Sequence, residues 1–214
     1  GGAGVPLFER GTDGRGGAPV SAAPTGRPPM ERREDRVRTA LRWGPVHALR
    51  RAWIARGAGA LGARVHVSRG VRLLRHPGRV SIGSDCVLKD FAILCPTLPE
   101  AAISIGAWTT VGYYAMLFAA TRIEIGENCL IGSFAYLVDS RHNTARGRLV
   151  REQGLSSAPI RIGNDVLVGA RAMIAAGVTI GDGALIEAGS YVTSDIPPYA
   201  VAAGVPARVV KERS

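Results

Sequence analysis

The chain has 214 residues, a net charge of +10, 46% hydrophobic residues, only 6% aromatic residues and 28 glycines. That length supports one domain with a substantial core, filled by small and branched aliphatic side chains between frequent turns. No apolar run approaches the ~18 residues of a membrane span, and the arginine-rich amino-terminal part has no hydrophobic signal core. The three cysteines, Cys86, Cys95 and Cys129, have no C-x-x-C spacing, which argues against a disulfide framework or a zinc knuckle. A cytoplasmic protein is the expectation. The positive charge suits an anionic partner, but arginines crowd residues 32 to 56 without any nucleic-acid-reading motif and with few aromatics for base stacking. Solvated surface charge, not nucleic-acid binding, is the reading.

Residues 1–29 hold 8 glycines and 5 prolines with little to bury, so a disordered tail is expected. Residues 30–63 form a basic helical segment. Gly44–Pro45 should separate a first short helix, ending near Trp43, from a second. In that second helix Val46, Leu49, Arg50 and Trp53 fall at i, i+3, i+4 and i+7, one amphipathic face. The face is expected to pack on the chain's own domain and close its end. A membrane-surface role is the lesser alternative, and no membrane contact is expected.

A ladder follows. Ile82, Leu88 and Leu94 are six apart, as are Ile105, Val111 and Leu117, and Ile125, Ile131 and Leu137. The longest run is Ile162, Val168, Ile174, Ile180, Ile186 and Val192. Glycine follows many of these positions, and a small or β-branched residue such as Cys86, Ala92, Thr109 or Cys129 stands four residues after most. Six keeps no helical face in register. It suits a short strand and a bend, with the aliphatic side chain inward and glycine easing the backbone at the bend. Three hexads close a triangular coil, and coils stack like strands ~4.8 Å apart. The fold class is therefore all-β, a parallel β-helix over residues 64–214. Cys86 and Cys129 are inward filler in it, and Cys95 has no assigned role.

Between Leu137 and Ile162 the spacing jumps to 25 residues. The polar insert begins VDSRHNT and carries His142, the only histidine in the second half of the chain. Long insertions on a repeat scaffold are where function tends to sit. Asp139 and Ser140 stand close enough in sequence to orient the imidazole if the loop curls back.

The ladder resembles that of the hexapeptide-repeat acyltransferases, in particular galactoside and maltose O-acetyltransferases and polysaccharide-modifying relatives. The resemblance rests on IGENCLIGSFAYLVDSRH, residues 125–142, and on GVTIGDGALIEAGSYVTSDIPPYAVAAGVPARVVKE near the carboxyl end, and it covers about residues 80–212. It implies a left-handed β-helix, acetyl-CoA as acyl donor, no metal, a homotrimer, and direct transfer to a hydroxyl of a sugar or glycosylated acceptor. His142 would be the general base, supported by Asp139 in an Asp-x-x-His arrangement. An imidazole, with an ordinary pKa of about 6.5, suits removal of a hydroxyl proton near neutrality. By position in the motif, Gly169, Ala170 and Ala188 would line the pantetheine groove. Thr193 and Ser194, with Arg208 and Lys211, would lie near the adenine and phosphates, where cationic side chains fit.

Three departures bear on the acceptor and donor sites. Leu167 and Ser194 replace residues common in the family, an aromatic and a basic one, and the coil before the histidine lacks an asparagine. Tyr114, Met116 and Phe118 in that coil point to a more apolar acceptor pocket, or equally to a subunit interface. Two alternatives remain. A γ-class carbonic anhydrase needs three histidine ligands for zinc, and after Ile82 the chain offers only His142. A non-catalytic β-helix scaffold would have no use for the histidine insert and the coenzyme-type terminus.

Overall fold

A computed structural model describes residues 44–214, so the expected tail and the helix ending near Trp43 lie outside the described residues. From Ala60 on, short strands wind into a left-handed parallel β-helix with three faces. Face A stacks Ala60–Leu61, Val80–Ile82, Ala102–Ile105, Arg122–Ile125, Ile160–Ile162 and Thr179–Ile180. Face B runs from His66–Val67 through Leu185–Ile186 to an antiparallel closing pair, Ala200–Gly204 with Ala207–Glu212. Face C runs from Arg72–Leu73 through Met116–Ala119 and Tyr136–Val138 to Tyr191–Val192.

The hexads stack in perfect register. Ile82, Ile105, Ile125, Ile162 and Ile180 align on face A. Leu94, Leu117, Leu137, Ile174 and Val192 align on face C. All ten are buried in one continuous core, which a three-sided coil can build only if each inward aliphatic sits over its equivalent. One further coil precedes Ile82, with Leu61, Val67 and Leu73 also six apart and paired onto the next coil. The β-helix thus starts at Ala60, inside the stretch assigned to the helical segment.

The glycines that follow the inward aliphatics serve a different purpose from the one expected. The left-handed backbone falls later in each bend, on Asp85, Phe91, Tyr114 and Phe134, with φ between 55° and 61°, and on Gly183 and Gly189, with φ of 69° and 72°. The hexad glycines are needed because the coils stack so closely. A Cβ at Gly132 would lie 2.6 Å from the backbone N of Ala170, and one at Gly106 would lie 2.5 Å from the carbonyl carbon of Gly126.

The helix α1, Pro45–Gly57, starts behind Gly44 as the Gly-Pro pair predicts and packs against the first coil. Its orientation overturns the expected face. His47 and Ile54 are buried, whereas Val46, Leu49 and Trp53 are 56%, 71% and 64% exposed. Among the described residues no coil lies beneath the first one, so its backbone groups on that side have no strand partners there, a costly state if buried. His47 Nε2 accepts the Val67 N–H at 3.2 Å, and the Arg51 guanidinium donates to the Gly62 carbonyl at 3.1 Å. The end of a β-helix needs polar side chains from its cap, and that turns the apolar stripe outward.

Candidate active site

The insert after face C is an ordered arm and not a loose loop. Ser140–His142 pairs antiparallel with Leu155–Ser157, and a short 3-10 turn lies between them at Val150–Glu152. Gln153 clasps the tip: its amide donates to the carbonyls of Ala145 and Arg148 at 3.0 Å each, and its carbonyl oxygen accepts the Ala145 N–H at 2.7 Å. Asn143 donates to the Gln153 carbonyl at 3.0 Å and accepts from the Ser156 hydroxyl. His142 stands on the first strand of this arm, exposed. Among the described residues its imidazole takes part in no hydrogen bond or ion pair.

Asp139 does not turn toward His142. It is fully buried, and its carboxylate accepts three backbone N–H groups, from Ala120 at 2.6 Å and from Thr121 and Arg122 at 2.7 Å each. Those donors form the bend from face C to face A in the preceding coil. Asp139 therefore anchors the base of the arm to that bend, and a role in orienting the imidazole through a direct hydrogen bond is corrected to a role in fixing the point from which the arm leaves. Its own carbonyl holds the returning strand through the Ala158 N–H at 2.9 Å.

The other predicted positions fall into separate places. Gly169, Ala170 and Ala188 lie together at the bend from face B to face C, where Gly189 donates its N–H to the Ala170 carbonyl at 2.8 Å. Arg208 joins them from the closing pair, since its partner Ala203 follows Ala202, which is stacked on Ile186. Lys211 is on the same closing strand opposite Val201, exposed. Thr193 and Ser194 are instead at the far end of face C, on the same edge as the arm.

Along the B-to-C bend the coils carry a stack of rings. Phe91, Tyr114 and Phe134 have centroids 4.9 and 5.1 Å apart and near-parallel planes, with Arg69 over Phe91 and Arg171 over Phe134. The stack stops at Gly189, where a Cβ would meet nothing within 4 Å. Ala170, Ala188 and Gly189, all exposed, leave an open shelf there.

Tyr114 thus belongs to the bend, while Met116 and Phe118 are half-buried on the outer surface of face C. Met116 aligns with Tyr136, Met173 and Tyr191, and Phe118 meets Tyr136 edge-on at 5.9 Å. Sequence reasoning singled out Met116 but missed Tyr136, Met173 and Tyr191, although each stands one residue before an inward aliphatic. Cys86, Cys95 and Cys129 are buried, and burial pushes the Cys129 thiol up to about 11. Such thiols are inert filler.

Comparison with known proteins agrees with this architecture. The family described as "Hexapeptide repeat of succinyl-transferase" matches residues 122–138 and 159–194. Galactoside O-acetyltransferase of Escherichia coli (strain K12) is 47% identical over 147 residues, 64% of this chain and 71% of that protein. A probable acetyltransferase of Mycobacterium tuberculosis is 32% identical over 115 residues, which span 53% of this chain and 38% of its relative's length. A solved galactoside acetyltransferase in complex with coenzyme A superposes with a TM-score of 0.60 at 29% identity, covering 81% of this chain and 75% of the other. An N-acyltransferase from Bacillus cereus, in complex with dTDP and 3-hydroxybutyryl-CoA, shares the fold with a TM-score of 0.68 at 23% identity over 76% and 87% of the two chains. The chain belongs to the hexapeptide-repeat acetyltransferases.

Proposed function

We propose that the protein transfers an acetyl group from acetyl-CoA to a hydroxyl of a sugar or glycosylated acceptor, with His142 as general base. The observation that carries this reading is an exposed imidazole, without hydrogen-bond partners among the described residues, held on a clasped arm at the place where the ladder of coils is interrupted. His142 would accept the hydroxyl proton as the oxygen attacks the thioester carbonyl, and would return that proton to the departing coenzyme A sulfur. No acyl-enzyme is involved. Backbone N–H groups at the cleft are the donors for the oxyanion.

The shelf at Gly169, Ala170, Ala188 and Gly189 fits a pantetheine arm, because nothing larger than a methyl group rises from it, and Arg208 and Lys211 fit the phosphates. Face C separates that shelf from His142. Tyr136–Leu137 of face C, which leads into the arm, pairs with Met173–Ile174, which follows the shelf. A thioester seated on the shelf would lie a full face of the coil from the histidine of the same chain. We assign the complete site to clefts of a homotrimer in which the shelf of one subunit faces the arm of the next. The outward column of Met116, Tyr136, Met173 and Tyr191, half-buried at its first two members and exposed at the last two, is the matching contact surface.

His142→Ala and His142→Gln should lower kcat by about 10²–10⁴-fold, followed as thiol release from acetyl-CoA with a sugar panel and by product mass. The melting curve should stay that of the wild type. Near wild-type turnover in either variant would remove His142 from the chemistry.

A further inference from the structure

The amino-terminal end of the prism combines two features that the transfer reaction does not use. The first is the stripe Val46, Leu49 and Trp53, which the capping geometry turns away from the protein. Beneath it a groove of about 470 Å³ opens between α1 and the first coil, lined by Leu49, Arg50, Trp53, Ile54, Val67 and Val71 among others. The second is charge. Residues 44–84 contain 8 arginines and neither aspartate nor glutamate. Asp85 neutralises Arg64, and Glu100 lies 3.5 Å from Arg79. No carboxylate pairs with Arg50, Arg51, Arg56, Arg69, Arg72 or Arg75 among the described residues.

From these two features we infer that this end of the molecule docks on an anionic phospholipid surface, with Val46, Leu49 and Trp53 entering the headgroup boundary and the arginines meeting the phosphates. An exposed apolar stripe on a helix ringed by cations is the arrangement that lies in a bilayer interface, and tryptophan is at home at that depth. Charge complementarity selects the partner. Each basic residue near the surface adds attraction to an anionic leaflet, while a protein partner would need a surface of matching acidity as well as apolar pockets. A nucleic acid would satisfy the arginines but gain nothing from Leu49 or Trp53. None of this depends on the active-site assignment.

Cosedimentation of the full chain with vesicles of phosphatidylcholine and phosphatidylglycerol at 3:1, and of phosphatidylcholine alone, tests the inference. The protein should pellet with the anionic vesicles only, and less of it as salt rises from 0.05 to 0.5 M, since screening shortens the reach of the arginines. Trp53 emission should shift to the blue on binding, read as the difference between wild type and Trp53→Phe. Leu49→Glu with Trp53→Ser, both at outward positions, should weaken vesicle binding by roughly tenfold or more while the melting curve stays that of the wild type. Absence of binding to anionic vesicles overturns the proposal. So does binding that the double variant leaves unchanged, which would reduce the effect to charge alone. Tighter binding to a random RNA than to the vesicles would assign the surface to nucleic acid instead.

Discussion

Asp139 shows how one side chain governs the placement of another without touching it. A buried carboxylate that accepts three N–H groups of one bend leaves those groups without their acceptor when it is changed, and the buried Ala120 N–H carries most of that cost. Asp139→Asn turns an amide N–H toward at least one of the three donors. It should lower the stability of the fold by about 2–3 kcal/mol, measured by chemical denaturation, and lower kcat because the arm then leaves from a loosened base. Loss of kcat at wild-type stability would instead return Asp139 to a direct partnership with the imidazole.

At the scale of elements, the joint between α1 and the first coil is sensitive to acid. The rings of His47 and His66 stack with centroids 4.4 Å apart. Burial lowers the pKa of His47, and the nearby Arg51 adds to the effect. His66 is lowered to about 4, first by burial and then by His47 and Arg50, with Asp90 opposing. Both histidines are therefore held neutral in the folded protein, whereas the unfolded chain takes up protons near pH 6.5. Their contribution to stability is complete above about pH 6.5 and is lost as pH falls from there toward about 4. The melting midpoint should drop across that window. His66→Phe, which keeps a ring against His47, should flatten the part of the slope that belongs to this joint, and an unchanged slope would place the acid sensitivity elsewhere.

At the scale of the whole molecule, shared sites make a prediction that a single-chain site does not. His142→Ala removes the proposed base, and Ala170→Trp fills the shelf. Mixed trimers of the two contain clefts in which an intact arm faces an intact shelf, so refolding a mixture should restore part of the activity that neither parent has. No recovery in a mixture shown to contain hybrid trimers, or a fully active monomer by light scattering, would contradict the arrangement.

Periodicity along the chain determined the β-helix. Inward positions six apart are a property of a coil that repeats, and each coil meets mainly its neighbours, so local sequence carries the global fold. The break at Leu137 and the isolated His142 were legible for the same reason. The coil at Leu61, Val67 and Leu73 was equally regular but was hidden by the basic stretch around it. Other features were settled only in three dimensions. The Asp139 carboxylate faces a bend 17 to 19 residues earlier in the chain, a pairing that spacing to His142 cannot reveal. The expected inward face of α1 followed hydrophobicity alone, yet the open backbone at the end of the first coil called for His47 and Arg51. The separation of the Ala170 shelf from the His142 arm depends on which bend of a triangular coil each occupies, and on the width of the face between them.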